Sequence, residues 1–484
     1  MNKPKIAFFS PFRPIKSGIS DYSHELLPFL APYFEPDLYF DEGYAPDNTN
    51  LNHNLFPWGQ FEQRVINEEY DHTIYQMGNS SYHCYAYYQL TKYPGIAVLH
   101  DYYLGGLIKG LNYQYPEFGI TLLEELQHSY GKNKTAKILG LMERGELDTC
   151  AKLASAEIYL NRRVFTSSLG VIVHSNWAYK QAIKDFSHEN QNIVHIPMLM
   201  PQFKPQESST KVRYQLGICQ DKFIISVFGL LTHAKRAIPI LQSFSKYIVS
   251  YPNSLLVYVG DSTPIHELLM QEIKKIGLVN KVKVIGYVAM SDFYKYIHIS
   301  DLCLNLRYPS TGESSASLMR ILSASKPVIV TDIGSFTDFP DDVVFKIPQP
   351  TQCNEVEEIF RALVLLTENK RYRQDLGLNA SKYITRKHSP EQCARLYAEF
   401  MEKVLYSPKA QHKLLTEYVK RQIASLVSYD LLSNQSSVEH LQQTAESIVL
   451  EVNRWNKWQC NREKKWLENK VKAWKKTAKN FKLN

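Results

Sequence analysis

One segment of the chain reads Arg307-Tyr308-Pro309-Ser310-Thr311-Gly312-Glu313-Ser314-Ser315 and stands between two apolar runs of different character. The preceding run, 302–306, has the length and composition of a buried strand. The following run, 316–325, predicts a helix that ends at Lys326-Pro327, because proline cannot continue a helix. Ser314 is the predicted N-cap of this helix. We therefore expect a strand, a loop and a helix, with Glu313 beside the helix N-terminus.

This arrangement predicts a site for a phosphorylated ligand. The free N–H groups and the positive end of the helix dipole attract phosphate, and the Glu313 carboxylate can accept hydrogen bonds from hydroxyls next to it. Phosphate beside hydroxyls is the chemistry of a nucleotide sugar. The alternative is an ordinary strand–loop–helix connection with a capping serine, and this segment alone does not exclude it.

The composition is that of a globular protein with more than one domain. The 484 residues suffice for two domains and an additional element, and 44% of them are hydrophobic and 12% aromatic. Seven scattered cysteines without a CxxC pair favour reduced thiols in a cytoplasm and argue against a zinc site. We expect no signal peptide, because residues 1–5 lead into only a short apolar run, and no membrane span, because no apolar run reaches about 18 residues.

The chain opens with a β–loop–α pattern. The apolar run 5–9 leads into a loop that contains proline and serine and ends at Ser17-Gly18, and the helical segment 19–30 follows. Because glycine has no Cβ, the backbone at Gly18 can approach a bound ligand closely. A plain connection between a strand and a helix is the alternative.

Polar residues follow the next two predicted strands. Asn79 comes after the strand at 73–76, and His100 with Asp101 comes after the strand at 96–99. Ligands of open parallel sheets bind outside the carboxyl ends of the strands, so these side chains are expected in a cleft. His100 is the stronger candidate because Asp101 can orient its imidazole ring. The alternative is a core histidine held by a carbonyl group.

A second α/β unit is predicted after residue 209. Strands and helices alternate to residue 346, which indicates a parallel, doubly wound sheet. After the strand at 223–229, Lys235 and Arg236 stand at the start of a helix. Positive charge opposes the helix dipole at this position, so we expect both side chains to neutralise a diphosphate.

These features together resemble the family 4 retaining glycosyltransferases, which have the GT-B fold. The resemblance covers roughly residues 5–405. Members of this family have a Glu, seven further residues and a second Glu, in a helix that leads to Gly-x-Pro-Val. Here Glu313 matches the first Glu, Arg320 takes the place of the second, and Ser325 replaces the glycine. The spacing from Glu313 to Arg320 is one residue shorter than usual.

The resemblance implies an α/β architecture with two Rossmann-like, doubly wound parallel-sheet domains that face a cleft, plus an α-helical C-terminal extension. The expected divisions are an acceptor-side domain at 1–197, a linker at 198–212, a nucleotide-sugar domain at 213–388, a crossover helix at 389–405 and a basic helical extension at 406–484.

The resemblance also implies roles for the site residues. Glu313 and His100 would be catalytic, Asn79 and Asp101 would face the acceptor, and no metal or cofactor would be needed. The donor, a nucleoside-diphosphate sugar, would contact Gly18, Gly229, Lys235, Arg236, Tyr287, Gly312, Ser314, Ser315 and Arg320. Tyr287 would stack on the nucleotide base, and its alternative role is packing.

The implied function is transfer of a sugar to a glycan or lipid-linked acceptor, in the synthesis of a surface polysaccharide or glycoconjugate. The implied location is the cytoplasm or the inner face of the membrane, with no nucleic acid as partner. A GT-B epimerase or phosphorylase stays open, since a fold does not fix its chemistry. A catalytically silent glycan-binding or assembly subunit also stays open, because the second Glu is missing. A glycosidase is disfavoured, because it would need two opposed carboxylates and only Glu313 is well placed in the sequence.

The C-terminal segment differs from the rest of the chain in its charge. Residues 451–484 contain eleven Lys or Arg and three Asp or Glu, a net charge of +8 that equals the net charge of the whole chain. Four of the six tryptophans lie there, and apolar residues recur at helical spacing through 438–484. Such a helix would lie on an anionic membrane surface, pack on the rest of the protein, or pair with a helix of another copy of this chain, and these interpretations stay open.

Overall fold

The computed structural model describes residues 3–47, 53–67, 69–147, 149–190, 192–405, 407, 410 and 413–417. The chain divides into two compact units, one of residues 1–91 and 95–399 and the other of residues 92–94 and 400–484. The two sheets and the site described below belong to the first unit. The basic helical segment predicted at 438–484 lies outside the described residues.

Within the described residues, the first sheet has seven parallel strands in the order β3-β2-β1-β4-β5-β6-β7. The strands are β1 (Lys5–Phe9), β2 (Glu35–Phe40), β3 (Leu55–Pro57), β4 (His72–Met77), β5 (Ile96–Leu99), β6 (Gly170–Val173) and β7 (Ile193–His195). In β1, an interior strand of the sheet, Ile6 pairs with Pro36 on one side and with His72 on the other. Residues 6–9 are fully buried, as expected of a parallel strand that is covered on both faces.

Helices connect these strands and, with the sheet, form what we call the first domain. They are α1 (Gly18–Leu30), α2 (Phe61–Ile66), α3 (Cys84–Lys92), α4 (Gly105–Gln114), α5 (Leu122–Glu143), α6 (Cys150–Ser155), α7 (Arg162–Ser167) and α8 (Asn176–Phe186). Ser17 caps α1 and Ser175 caps α8 through hydrogen bonds from backbone N–H groups of the first turn. These caps fix where each helix begins at the carboxyl edge of the sheet.

The second sheet, again among the described residues, has six parallel strands in the order β10-β9-β8-β11-β12-β13. They are β8 (Phe223–Phe228), β9 (Ser254–Val259), β10 (Val282–Gly286), β11 (Leu302–Asn305), β12 (Val328–Thr331) and β13 (Phe345–Ile347). The accompanying helices are α9 (Ser209–Gln215), α10 (Ala237–Ser250), α11 (His266–Lys275), α12 (Met290–Ile299), α13 (Ala316–Ser323), α14 (Glu355–Glu368) and α15 (Lys370–Lys387). We call this sheet with its helices the second domain. The two parallel α/β sheets confirm the predicted fold class.

The predicted crossover helix corresponds to α16 (Pro390–Leu405). The hydroxyl of Tyr397 on α16 lies 3.0 Å from the hydroxyl of Tyr22 on α1, and both side chains are buried. The chain therefore returns to the first domain after the second sheet is complete. No helix in the described part of the chain is both long enough and apolar enough to cross a membrane.

The strand–loop–helix connection predicted at 302–325 is confirmed, with two corrections. The N-cap of α13 is Ser315, whose hydroxyl accepts a hydrogen bond from the N–H of Leu318 at 3.3 Å. Ser314 instead donates its backbone N–H to the carbonyl of His100 at 3.0 Å. The helix ends at Ser323, two residues earlier than predicted. Ser325 follows with a left-handed backbone, φ +57°, at the position where the family has glycine.

Candidate active site

The carboxyl edges of both sheets border one cleft of about 840 Å³. Of the residues singled out in the sequence, it is lined by Gly18, Asn79, His100, Asp101, Gly229, Lys235, Tyr287, Glu313, Ser314, Ser315 and Arg320. Arg236 and Gly312 do not line it. The fold therefore brings most of the residues that the sequence singled out into one cleft.

Glu313 is held in one orientation by several donors. Its Oε2 accepts hydrogen bonds from the Ser310 hydroxyl at 2.9 Å, from the Thr311 N–H at 2.7 Å and from the Thr311 hydroxyl at 2.9 Å. Its Oε1 forms an ion pair with Nε of Arg307. The side chain is 11% exposed, at the cleft. This carboxylate is positioned before any ligand arrives.

Asp101, on the first domain, lies near Glu313 and shares a hydrogen-bond donor with it. The Thr311 hydroxyl is 3.2 Å from Oδ1 of Asp101, and the N–H of Asn79 donates to Oδ2 at 2.9 Å. Burial raises the pKa of Asp101 to about 6, and the nearby Glu313 carboxylate contributes to the rise. Two carboxylates from different domains therefore meet at Thr311.

The loop that carries Glu313 is also a contact between the two domains. The N–H of Tyr103 donates to the carbonyl of Thr311 at 2.9 Å, next to the bond from Ser314 to His100. Gly312 has φ +66°, and a Cβ there would overlap the ring of Trp177 on α8. Gly312 thus allows the close approach of the domains, and it contributes to the site through the backbone alone.

His100 does not have the partner that the sequence suggested. Its Nε2 lies 2.7 Å from Oε1 of Gln76, while the Asp101 carboxylate is bonded to other groups. Its ring packs against the rings of Tyr22 and His174, with centroids 4.9 Å and 4.7 Å away. Burial holds the pKa of His100 well below its usual value, so the ring is neutral. Gln76, 24 residues earlier in the chain, orients the imidazole at the edge of the cleft.

Two cations face the cleft from the second domain. Nζ of Lys235 donates to the carbonyl of Phe228 at 3.0 Å and to the hydroxyl of Ser317 at 3.2 Å. Burial lowers the pKa of Lys235 well below its usual value, and the Arg307 guanidinium lowers it further. Sequence reasoning did not assign a role to Arg307, although it stands at the end of the β11 strand segment. A cation directly before the Pro/Gly loop is the signal that could have identified it.

Arg236 has a different environment from its neighbour Lys235. Its guanidinium binds both carboxylate oxygens of Glu355 on α14, at 2.6–3.0 Å. The backbone at Arg236 is left-handed, φ +59°, and this turns the side chain away from the cleft. The two adjacent cations that we expected to act together on a diphosphate therefore have separate partners.

Arg320, which takes the place of the family's second Glu, is bound to the first domain. Its Nη2 donates to Oε1 of Glu25 on α1 at 2.7 Å, and its side chain is 4% exposed. The structure thus pairs a cation of the second domain with a carboxylate of the first at this edge of the cleft.

The remaining predicted groups lie where the second domain opens to solvent. Tyr287 is 55% exposed, and Nζ of Lys16 lies 4.5 Å from the centre of its ring. Ser315 caps α13, so the free N–H groups of the first turn of this helix are near the cleft. In the part of the chain that the structure describes, no group of three or more His, Cys, Asp or Glu side chains is arranged to hold a metal ion.

Comparisons with known proteins find sequence similarity over part of the chain. Residues 208–383 match the family model described as glycosyl transferases group 1. The alpha-monoglucosyldiacylglycerol synthase of Acholeplasma laidlawii is 24% identical to this chain over 287 residues, which cover 57% of this chain and 69% of that protein.

Solved structures have the same fold at low sequence identity. Anabaena HepE, in complex with UDP and glucose, matches with a TM-score of 0.58 and 16% identity, covering 83% of this chain and 100% of the HepE chain. Sucrose-phosphate synthase from Thermosynechococcus elongatus matches with a TM-score of 0.58 and 14% identity, covering 83% of this chain and 99% of its own. The two sheets thus have the GT-B arrangement, and the match to the glycosyl transferases group 1 model falls on the second domain.

Proposed function

We propose that this protein is a retaining, metal-independent glycosyltransferase that moves a sugar from a nucleoside-diphosphate sugar to a hydroxyl group of a glycan or lipid-linked acceptor. The observation that carries the proposal is the position of Glu313. Its carboxylate lies in the same cleft as Lys235, Arg307 and the N-terminal turn of α13. A partner for sugar hydroxyls and positive charge for a diphosphate are thereby combined in one site.

The chemistry assigns a role to each group. As the bond from the anomeric carbon to the diphosphate oxygen breaks, the acceptor oxygen bonds to that carbon and the acceptor hydroxyl passes its proton to an oxygen of the leaving diphosphate. Negative charge grows on the leaving diphosphate before that proton arrives. Lys235, Arg307 and the N–H groups at the start of α13 would stabilise it, an interaction that strengthens as the bond breaks. Glu313 would hold the sugar hydroxyls, and retention is proposed from the resemblance of its loop to retaining enzymes.

The relatives suggest which substrates to test first. HepE has been solved with UDP-glucose, which supports UDP-glucose as the first donor. The Acholeplasma relative is named as a glucosyldiacylglycerol synthase, which supports a lipid acceptor. We place the reaction in the cytoplasm, at the inner face of the membrane when the acceptor is lipid-linked, in the synthesis of a surface polysaccharide or glycoconjugate.

One observation favours a second candidate. Arg320 is held by Glu25 at the position where the resemblance predicts a carboxylate. A chain altered in this way could bind a glycan or assemble with an enzyme without transferring sugar. This candidate predicts nucleotide or glycan binding without turnover.

One experiment separates the two candidates. UDP release from UDP-glucose is measured with and without dispersed diacylglycerol and alkyl glucosides, and UDP binding is measured by calorimetry. We expect UDP binding, acceptor-stimulated UDP release, and a product whose anomeric configuration by NMR equals that of the donor. UDP binding without turnover on any acceptor would favour the silent subunit. Absence of both binding and release with every common nucleotide sugar would refute a donor site in this cleft.

A further inference from the structure

A second cavity, of about 830 Å³, adjoins the donor cleft. The two share Asn79, Thr232, Ala234, Pro309 and Thr311 in their linings. Thr311 is hydrogen bonded to both Glu313 and Asp101, so the passage between the two spaces lies beside the proposed reacting centre. A ligand could therefore present one end to the donor and keep the rest of its length in the second cavity.

The lining of the second cavity is largely apolar. It includes Tyr103, Leu147, Ala151, Ala154, Ala156 and Tyr308. Its charged groups have partners of their own. Arg236 binds Glu355, Glu146 pairs with Arg144 at 2.7 Å, and Nζ of Lys152 donates to the carbonyl of Gly145 at 2.6 Å.

The apolar lining and the paired charged groups favour an apolar ligand in the second cavity. A phosphate or an extended oligosaccharide would need many polar partners inside the cavity, because burying polar groups without hydrogen bonds is costly. An aliphatic chain needs only apolar surface. The volume also falls within the range of about 300–1,000 Å³ that is typical of sites for small ligands.

We propose that the second cavity binds the apolar portion of the acceptor, an alkyl or acyl chain, and that the hydroxyl-bearing end of the acceptor reaches Glu313 past Asn79 and Thr311. This inference rests on the proposed function. It assigns the acceptor an aliphatic portion and gives that portion a location between α6 and the loop after β11.

The first test is a series of acceptors that differ only in chain length. Methyl, butyl, hexyl and octyl glucosides are compared below their micelle concentrations, with UDP-glucose as donor. Each added methylene that enters the cavity should lower the acceptor KM about threefold. A KM that does not change along the series would overturn the proposal.

A variant locates the effect. Ala151 is an exposed residue of α6 in the cavity wall, so Ala151→Trp places an indole at the cavity without disturbing the core. The octyl glucoside KM should rise at least about tenfold, and the dependence on chain length should disappear. Ala136→Trp is the matched control, because Ala136 is exposed on α5 and lines neither cavity. Equal KM values for Ala151→Trp and Ala136→Trp would contradict the assignment.

A binding measurement keeps this inference separate from the proposed function. Cys150 lines the second cavity, whereas Cys219 is exposed and lies outside it. Octyl glucoside should slow the labelling of Cys150 by N-ethylmaleimide, followed by peptide mass spectrometry, and should leave Cys219 labelling unchanged. Unprotected Cys150 in a protein that still releases UDP overturns the cavity assignment alone. If the protein neither binds nor releases UDP, the proposed function is overturned. Protection of Cys150 by octyl glucoside then still tests whether the second cavity binds an alkyl chain.

Discussion

The guanidinium of Arg320 on α13 donates a hydrogen bond at 2.7 Å to the carboxylate of Glu25 on α1, and so joins the two domains beside the cleft. Burial raises the pKa of Glu25, and the charge of Arg320 opposes that rise. Each side chain therefore depends on the other to remain buried in its charged form.

Replacing Arg320 alone should destabilise the protein, because the Glu25 carboxylate would stay buried without a partner. Arg320→Met should lower the free energy of unfolding by about 3 kcal/mol, and adding Glu25→Leu should recover much of the loss. Urea unfolding of the single and double variants measures both effects. As a control, Arg395→Met breaks an exposed pair with Glu399 and should cost less than about 1 kcal/mol. Equal losses for the two arginine variants would contradict the prediction.

Glu313→Gln should lower turnover at least about a hundredfold, which is the usual scale for losing one preorganised polar group at a reacting centre. The neutral amide of the glutamine also cannot form the ion pair that the Glu313 carboxylate makes with Arg307. Initial rates of UDP-glucose consumption, together with an unchanged circular dichroism spectrum, measure this. Glu143→Gln, on the exposed end of α5, serves as the matched control and should keep full activity. A Glu313→Gln enzyme with normal turnover would remove Glu313 from the mechanism.

The two adjacent cations should behave differently. Lys235→Ala should weaken UDP binding by about tenfold to a hundredfold, the value of a charge-assisted hydrogen bond. Arg236→Ala should leave UDP affinity within about twofold and instead lower stability, because Glu355 loses its partner. Calorimetry and urea unfolding of both variants separate these effects. A similar loss of UDP affinity in both would return Arg236 to the phosphate site.

UDP binding should also take up protons. Burial lowers the pKa of Lys235, and a bound diphosphate would raise it again, so UDP affinity should fall as pH rises through the interval between the pKa of the free protein and that of the complex. Calorimetry in buffers of different ionisation enthalpy counts the protons. Proton uptake that persists in Lys235→Ala would show that another group is responsible.

EDTA should leave the transfer rate unchanged, because Lys235 and Arg307 supply positive charge at the position of the leaving diphosphate. Rates are compared before and after dialysis against EDTA, with a Mg²⁺-dependent transferase as a positive control for chelation. Loss of activity that Mg²⁺ or Mn²⁺ restores would contradict metal independence.

Stability should fall as the solution becomes acidic. Burial lowers the pKa of His83, His174 and His388 to about 4, so the unfolded chain binds more protons than the folded one between about pH 6.5 and pH 4. Their contribution is present above pH 6.5 and is lost as pH falls towards 4. Asp101, whose pKa is raised to about 6, acts in the opposite direction.

A histidine variant isolates this effect. His388→Gln removes one of the three titrating rings, and the hydrogen bond from its ring to the carbonyl of Met198 can be replaced by the amide. The urea midpoint of the wild type should drop more steeply between pH 7 and pH 4.5 than that of His388→Gln. Parallel curves would show that His388 does not stay neutral in the folded protein.

The fold was predictable from local patterns, and the site only in part. Apolar runs followed by polar residues located the strand ends, and parallel pairing then places Asn79 and Asp101 at one edge of the first sheet. Glu313 follows a strand of the second sheet, and the packing of the two domains brings it into the same cleft. The capping serine was displaced by one residue because Ser314 bonds to His100 in the other domain. Such contacts join residues more than 200 positions apart in the chain, so the local periodicity of apolar residues gives no information about them.

The directions of individual side chains were the second feature that could not be predicted from the sequence. The left-handed backbone of Arg236 sends its guanidinium to Glu355 on a helix more than a hundred residues later. The orienting partner of His100 is Gln76 on the neighbouring strand, rather than the adjacent Asp101. The sequence predicted a diphosphate as the partner of Arg236 and Asp101 as the partner of His100, and the tertiary fold supplied Glu355 and Gln76.

Gly312 packs closely against Trp177, and beside it the N–H of Tyr103 donates to the carbonyl of Thr311. These two contacts hold the loop that carries Glu313 against the first domain. Thr311 therefore has two roles. Its carbonyl accepts a hydrogen bond from the first domain, and its N–H donates to the Glu313 carboxylate. Separation of the domains would break the bond from Tyr103 to Thr311 and free the loop that carries Glu313 from the first domain. If the protein transfers sugar as proposed, closing the cleft would both fix this loop and exclude water from the donor, so that donor hydrolysis would be limited.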